Sequence, residues 1–258
     1  MDNAKETDFK ELAGWLTDGG VVVFTGAGIS TESGLSDFRS PGGIWDRFNP
    51  AEFTIQRFTA SAETRRKFWQ FYHENWKVSQ GAKPNKAHLA VAALEKMGKL
   101  NAVVTQNIDE LHQAAGNSPE RVLEVHGTMW KVGCLSCGNI SPWEDFFQLL
   151  EEGKEVGDCS QCGGLLKPAT VSFGQSLPMD VLEEAQHQCR QCSLLLCIGS
   201  SLAVYPAARM PEIAKSAGAK LIIVNREPTP LDSIADLAIR GEAGEVMGRV
   251  LALLEQTP

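Results

Sequence analysis

Short apolar runs recur along this chain at 21–24, 102–104, 122–125, 194–198 and 220–224. None alternates apolar with polar residues, and each is shorter than a helix needs. That is the pattern of strands buried on both faces of a parallel sheet. Helical spacing fills the gaps. Phe9, Leu12, Ala13 and Leu16 share one face of a helix over 8–16, which Gly19 and Gly20 end. Further helices are expected over 87–97, 181–189, 207–216 and 244–254. Buried strands alternating with helices predict an α/β fold on a parallel sheet.

Two stretches break the rhythm. Residues 36–80 contain no buried-strand pattern and are rich in aromatics, from Phe38 and Trp45 to Tyr72 and Trp76. They read as a helical insertion that closes over a site. Residues 129–169 carry two Cys-x2-Cys pairs among polar, glycine-bearing turns and read as a small zinc module. At 258 residues the chain can hold one large domain plus such inserts.

Cys134-x2-Cys137 and Cys159-x2-Cys162 stand 21 residues apart, near the spacing of a four-cysteine zinc ribbon. Each pair can grip one side of a tetrahedral ion. Four thiolates leave zinc no open position, so the expected metal is structural. Cys189-x2-Cys192 is a third pair, but it falls at a predicted helix end before a strand and reads as packing. Seven cysteines, an odd number, fit a disulfide framework poorly.

Ligands of open α/β sheets sit beyond the carboxyl ends of the strands. Here those ends carry Gly26-Ala27-Gly28 with Ser30, then Gln106-Asn107-Ile108-Asp109, then Gly199-Ser200-Ser201, then Asn225. One such site is unremarkable, whereas four on one sheet trace a nucleotide crevice. A glycine turn between strand and helix lets backbone N–H groups approach phosphate. Asp37-Phe38-Arg39 adds an acid, a ring and a cation nearby. His126, after a strand and before Gly127, is the candidate general base, with Asn107 and Asp109 in the same region. His73, His88, His112 and His187 fall on predicted helices and receive no chemistry.

Composition narrows the classes. A net charge of −8 argues against a general nucleic-acid binder. No apolar run approaches the roughly 20 residues of a membrane helix. The first ten residues are polar and acidic, so no targeting peptide is visible and a cytoplasmic location is the expectation.

Taken in order, the glycine turn, Asp37-Phe38-Arg39, Gln106-Asn107-Ile108-Asp109, His126-Gly127, the two cysteine pairs, Gly199-Ser200-Ser201 and Val224-Asn225 resemble the sirtuin family. The resemblance is to NAD-dependent protein-lysine deacylases of bacterial or archaeal type and runs over about 8–255. It implies a Rossmann-like NAD-binding domain made of 1–35, 86–128 and 170–258. It also implies a small lobe of helical insertion (36–85) and zinc ribbon (129–169). NAD, consumed as co-substrate, and an acyl-lysine peptide would meet between them.

By the same resemblance Ala27, Phe38, Arg39, Gln106, Asn107, Ile108 and Asp109 surround the nicotinamide and its ribose. Gly199, Ser200, Ser201, Asn225 and Ala243 hold the adenosine half. The acyl oxygen attacks the ribose as nicotinamide leaves, and His126 accepts a proton from a ribose hydroxyl. Asn107 orients ribose and water, and Asp109 the nicotinamide amide. The products are free lysine and O-acyl-ADP-ribose. Val171, Phe173 and Gly174 would pair with the peptide backbone from one side, Leu202 and Val204 from the other.

Two departures matter. Gln175 stands where many members have glutamate, which should alter the preference for basic flanking residues without loss of catalysis. Asn75, three residues after Tyr72, replaces the arginine that binds acidic acyl chains, so uncharged acyl groups are expected. Mono-ADP-ribosyl transfer, a zinc-containing NAD-dependent dehydrogenase and a zinc-ribbon adaptor are the alternatives. The dehydrogenase lacks its ribose-binding acid after a second strand, and the adaptor leaves the polar crevice unused.

Overall fold

The computed structural model describes residues 5–256. Its strands are β1 (Val21–Thr25), β2 (Leu100–Thr105), β3 (Val122–Glu124), β4 (Gly127–Cys134), β5 (Ile140–Pro142), β6 (Leu166–Thr170), β7 (Leu194–Ile198), β8 (Lys220–Val224) and β9 (Leu237–Ile239). Six of them form a parallel sheet in the order β3-β2-β1-β7-β8-β9. The order reverses direction between β1 and β7, which puts a crevice at their carboxyl ends. All five residues of β1 and of β7 are buried, as their unbroken apolar runs require.

One face packs Val21, Val23 and Leu196 against Leu12 and Leu16, Val91 and Leu94, and Val246 and Val250 of three helices. These helices are Glu6–Leu16, Lys86–Lys96 and Ala243–Leu254. The other face packs Val22, Phe24 and Leu195 against Ala185 and Met210. Truncating a wholly buried leucine such as Leu196 to alanine would cost about 2–5 kcal/mol.

The small lobe has a separate aromatic core. Phe58, Phe68, Trp69, Trp76 and Trp143 cluster between the helix Ala62–Gly81 and the antiparallel sheet β5-β4-β6. The Ser61 hydroxyl caps that helix by accepting from the Thr64 N–H at 3.2 Å. The chain enters β4 of the small sheet just after His126 and leaves β6 at Thr170, and both His126 and Thr170 line the crevice.

Three details differ from the expected elements. The turn after β1 enters a 3-10 helix, Ala27–Ser33, in place of an α-helix. A tight approach accounts for it: Gly28 donates to the Gly199 carbonyl at 2.8 Å, and a Cβ on Gly28 would lie 2.7 Å from that oxygen. The helix expected over 207–216 opens as a 3-10 turn and becomes α only from Met210, with Pro211 in its first turn. β9 was not expected, since three residues carry no readable period.

Candidate active site

A cavity of about 620 Å³ lies between the carboxyl ends of the large sheet and the small lobe. Its floor is backbone. Gly26, Gly28 and Gly199 approach so closely that a Cβ on Gly199 would sit 2.1 Å from the Ile29 nitrogen, and Gly199 has φ +62°. Only glycine meets both conditions.

The polar centre is a set of three side chains. The Ser30 hydroxyl donates to Asp109 Oδ2 at 2.7 Å and accepts from Asn107 Nδ2 at 3.1 Å. Asp109 Oδ1 accepts from the Leu111 N–H at 3.0 Å. Burial raises the Asp109 pKa, and the bonds from Leu111 and Ser30 oppose it without cancelling it. The Asn107 N–H donates to Thr105 Oγ1, which also accepts from Thr25 Oγ1, and Thr25 meets His112 Nε2 at 3.1 Å. A buried polar chain therefore props the loop from below. Burial holds His112 down to about 3 and His88 to about 4, so both are neutral.

His126 Nδ1 lies 3.0 Å from the carbonyl of Gln106. A carbonyl can only accept, so Nδ1 carries the proton and Nε2 is left with its lone pair. Burial lowers the His126 pKa, with the Gln106 bond opposing. Gln106 is itself anchored, its Nε2 donating to Ser200 Oγ at 2.8 Å.

Along the rim, Asp37 organises the loop that carries Phe38 and Arg39. It accepts from the N–H groups of Arg39 and Ser40 at 3.0 and 2.8 Å and from the Ser40 hydroxyl at 2.6 Å. Partial burial raises its pKa, but these bonds and nearby Arg226 leave it lowered. Phe38 packs on Trp45 (5.3 Å between centroids) and Trp45 on Phe173 (5.7 Å), so rings cross the cavity mouth. At the far end Asn225 and Ala243 line the cavity together with Ser201.

The cavity gathers Gly26 through Gly28, Ser30, residues 37–39, residues 106–109, His126, Val171, Phe173, Gly174, Gly199 to Ser201, Val204, Asn225 and Ala243. Leu202 is the exception. Its side chain is buried in the core under β7, and its N–H donates to Ser200 Oγ. The segments 171–174 and 202–204 are not regular strands either. Phe173 makes a single bridge to Thr54, its N–H donating to the Phe53 carbonyl and its own carbonyl accepting from Ile55. Gln175 turns back, its Oε1 accepting from the Ser172 N–H at 3.1 Å. Asn75 also turns back, donating to the Phe71 carbonyl at 2.8 Å, while the Tyr72 hydroxyl lies 2.7 Å from Thr170 Oγ1.

Sequence reasoning gave no role to Thr25, Thr105, His112 or Glu124, although Thr25, Thr105 and Glu124 end β1, β2 and β3. Glu124, at the end of β3, is pushed up to about 7 by burial and by Glu110. Its position just before His126 was the available signal.

The four zinc-ribbon thiols lie within 4.8 Å of one another. Cys134–Cys162 and Cys137–Cys159 are separated by 3.5 and 3.8 Å. A tetrahedron with Zn–S bonds of about 2.3 Å has edges of about 3.8 Å, so the set fits one zinc ion with no open position. Cys189, Cys192 and Cys197 are buried, and burial raises all three thiols, Cys189 to about 12 and Cys192 to about 11. They are inert packing groups.

The Sir2 family model matches residues 26–206. An NAD-dependent protein deacylase of Archaeoglobus fulgidus is 47% identical over 231 residues, covering 89% of each chain. Among solved structures, a histidine-to-alanine Sir2 variant with deacetylated p53 peptide and 3′-O-acetyl-ADP-ribose is 40% identical. It superposes with a TM-score of 0.87 over 95% of this chain and 98% of that one. Sir2Af2 bound to a myristoylated histone peptide, also 40% identical, gives 0.78 over 98% of both chains.

Proposed function

The chain belongs to the Sir2 family, and from that premise we propose how its cavity residues divide the work of an NAD-dependent protein-lysine deacylase. The reaction removes acetyl or similar uncharged acyl groups from protein lysines and yields nicotinamide, O-acyl-ADP-ribose and free lysine. NAD is consumed as co-substrate, and its glycosidic bond supplies the electrophilic ribose carbon. One zinc ion is structural, held by Cys134, Cys137, Cys159 and Cys162. Among the described residues no helix is long and apolar enough to cross a membrane.

The observation that carries the assignment is the His126–Gln106 bond. It leaves Nε2 as the basic nitrogen, in a cavity shared with the Ser30–Asn107–Asp109 set. His126 accepts a proton from a ribose hydroxyl. Asn107 orients that ribose, and Ile108 and Asp109 hold the nicotinamide amide. The glycine floor admits the phosphates, and Ala27, Phe38 and Arg39 close over the nicotinamide and its ribose. Ser200, Ser201, Asn225 and Ala243 hold the adenosine half. The peptide backbone meets Val171, Gly174 and Val204, and Leu202 contributes through its carbonyl. Residues 36–85 and 129–169 act as the lobe that closes on the domain formed by the remainder.

No arginine stands at residue 75, and the Asn75 amide is spent on its own helix, which supports neutral acyl chains. Phe48, Phe53, Phe68 and Phe71 line the same cavity and support chains longer than acetyl. The test is incubation with NAD and an acetyl-lysine peptide beside a His126→Ala control, read by mass spectrometry. Deacetylated peptide with equal O-acetyl-ADP-ribose, lost in the control, is expected. NAD cleavage without deacetylation would instead favour ADP-ribosyl transfer.

A further inference from the structure

Lys167 is the one lysine of the described residues among the largest fully buried side chains, at 1% exposed. It lies in β6, paired across the ladder with Gly133. Its ammonium donates to the carbonyls of Pro168 at 3.0 Å and Thr170 at 2.5 Å and sits 5.4 Å above the Phe68 ring. No carboxylate is among these partners, and burial pulls the pKa down to about 7. A buried amine without a counter-ion is costly, and nothing in the reaction as derived above uses it.

Its surroundings give it a use. The carbonyls of residues two apart point to the same side of a strand, so one amine can hold both ends of the last turn of β6. Beyond Thr170 the chain becomes the segment proposed to meet the peptide. The Val171 N–H donates to the carbonyl of His126 at 2.9 Å. Thr170 Oγ1 meets the Tyr72 hydroxyl, and Tyr72 stacks on Phe68, the ring beneath the Lys167 ammonium. Thr170 pairs with Gly127, but the ladder shifts register between Gly127 and Val132, so this end of β6 is set apart from the regular pairing at Pro168, Lys167 and Leu166.

We propose that Lys167 is a positioning residue for deacylation: by holding the Pro168 and Thr170 carbonyls it sets the peptide-binding segment 171–174 in register. The proposal rests on the reading of the cavity given above. It concerns the peptide side of the site, because none of these contacts reaches Asn225, Ala243 or the glycine floor.

The test compares zinc-loaded wild type with Lys167→Met, which keeps length and burial but no donor, and Lys167→Arg, which restores donors to both carbonyls. Steady-state kinetics are run against NAD and against an acetyl-lysine peptide, with the active fraction titrated. Lys167→Met is expected to raise the peptide KM about tenfold while the NAD KM stays within about twofold, and Lys167→Arg to recover most of the loss. A peptide KM within about twofold of wild type in Lys167→Met, or a fall in kcat alone, would overturn the proposal. Should Lys167→Met not fold, Lys167→Gln takes its place: an intermediate peptide KM supports the proposal, and an unchanged one overturns it. A wild-type enzyme that fails to turn over the peptide would instead refute the deacylase reading itself.

Discussion

Replacing Ser30 with alanine tests the polar centre with the loss of one hydroxyl. That hydroxyl links Asp109 and Asn107, and Ser30 and Asp109 are only 2% and 9% exposed, so water does not freely take its place. A hydrogen bond to a charged group contributes about 1.5–3 kcal/mol and a neutral one about 1 kcal/mol. Asp109 keeps the Leu111 N–H on its other oxygen, so the carboxylate is not orphaned. A loss of about 2–3 kcal/mol follows, which lowers kcat/KM for NAD roughly 30- to 150-fold if it is felt in the transition state. Removing the Ser30 bond also lets burial raise the Asp109 pKa further. The assay is nicotinamide release in the presence of acetyl-lysine peptide, with a thermal melt in parallel. Release within about threefold of wild type would show that the Ser30 hydroxyl does not position Asn107 and Asp109.

His126 acts as a base only when neutral, and burial holds its pKa below the ordinary histidine value. The acid limb of kcat/KM should therefore fall below pH 6.5, activity being lost as pH drops through the folded pKa; a limb above pH 7 would exclude His126 as the base. A succinyl-lysine peptide should turn over about 30-fold less efficiently than an acetyl one, and Asn75→Arg should narrow the gap, since a charge-assisted pair contributes about 2 kcal/mol. Equal turnover of both peptides by the wild type would contradict this. Chelating the zinc should unfold the β5-β4-β6 sheet and lower the melting temperature by roughly 10 °C, at about 2–4 °C per kcal/mol for a chain of this size. Full activity and an unshifted melt after metal analysis shows no zinc would refute a structural role.

The parts of this molecule that sequence makes legible are those where one local rule dominates. β1, β2, β7 and β8 follow from unbroken apolar runs, because a strand covered on both faces has no polar position to disguise it. The crevice residues follow because every strand of a parallel sheet ends on the same side. β9 was not legible, being three residues long. That the Leu202 side chain turns into the core at a φ of +52° was not legible, being a choice set by tertiary packing. Asp37 lines the cavity, but that its oxygens also accept bonds from its own loop was not legible in the sequence. Lys167 lies between Leu166 and Pro168 in a short stretch with no readable period, and nothing local announces that a lobe will bury its ammonium.

The pairing of β1 has a consequence for synthesis. One of its edges meets β2, but the other meets β7, which ends at Ile198. Until that residue clears the ribosome, Val21, Val22, Val23 and Phe24 present an unpaired edge to any chain nearby. Zinc loading of the ribbon can be complete by then, so the small lobe is able to mature while the large sheet still waits for its second half. A chain terminated before Leu194 is thus expected to yield aggregate and no shorter enzyme, because an apolar parallel edge recruits any strand it meets.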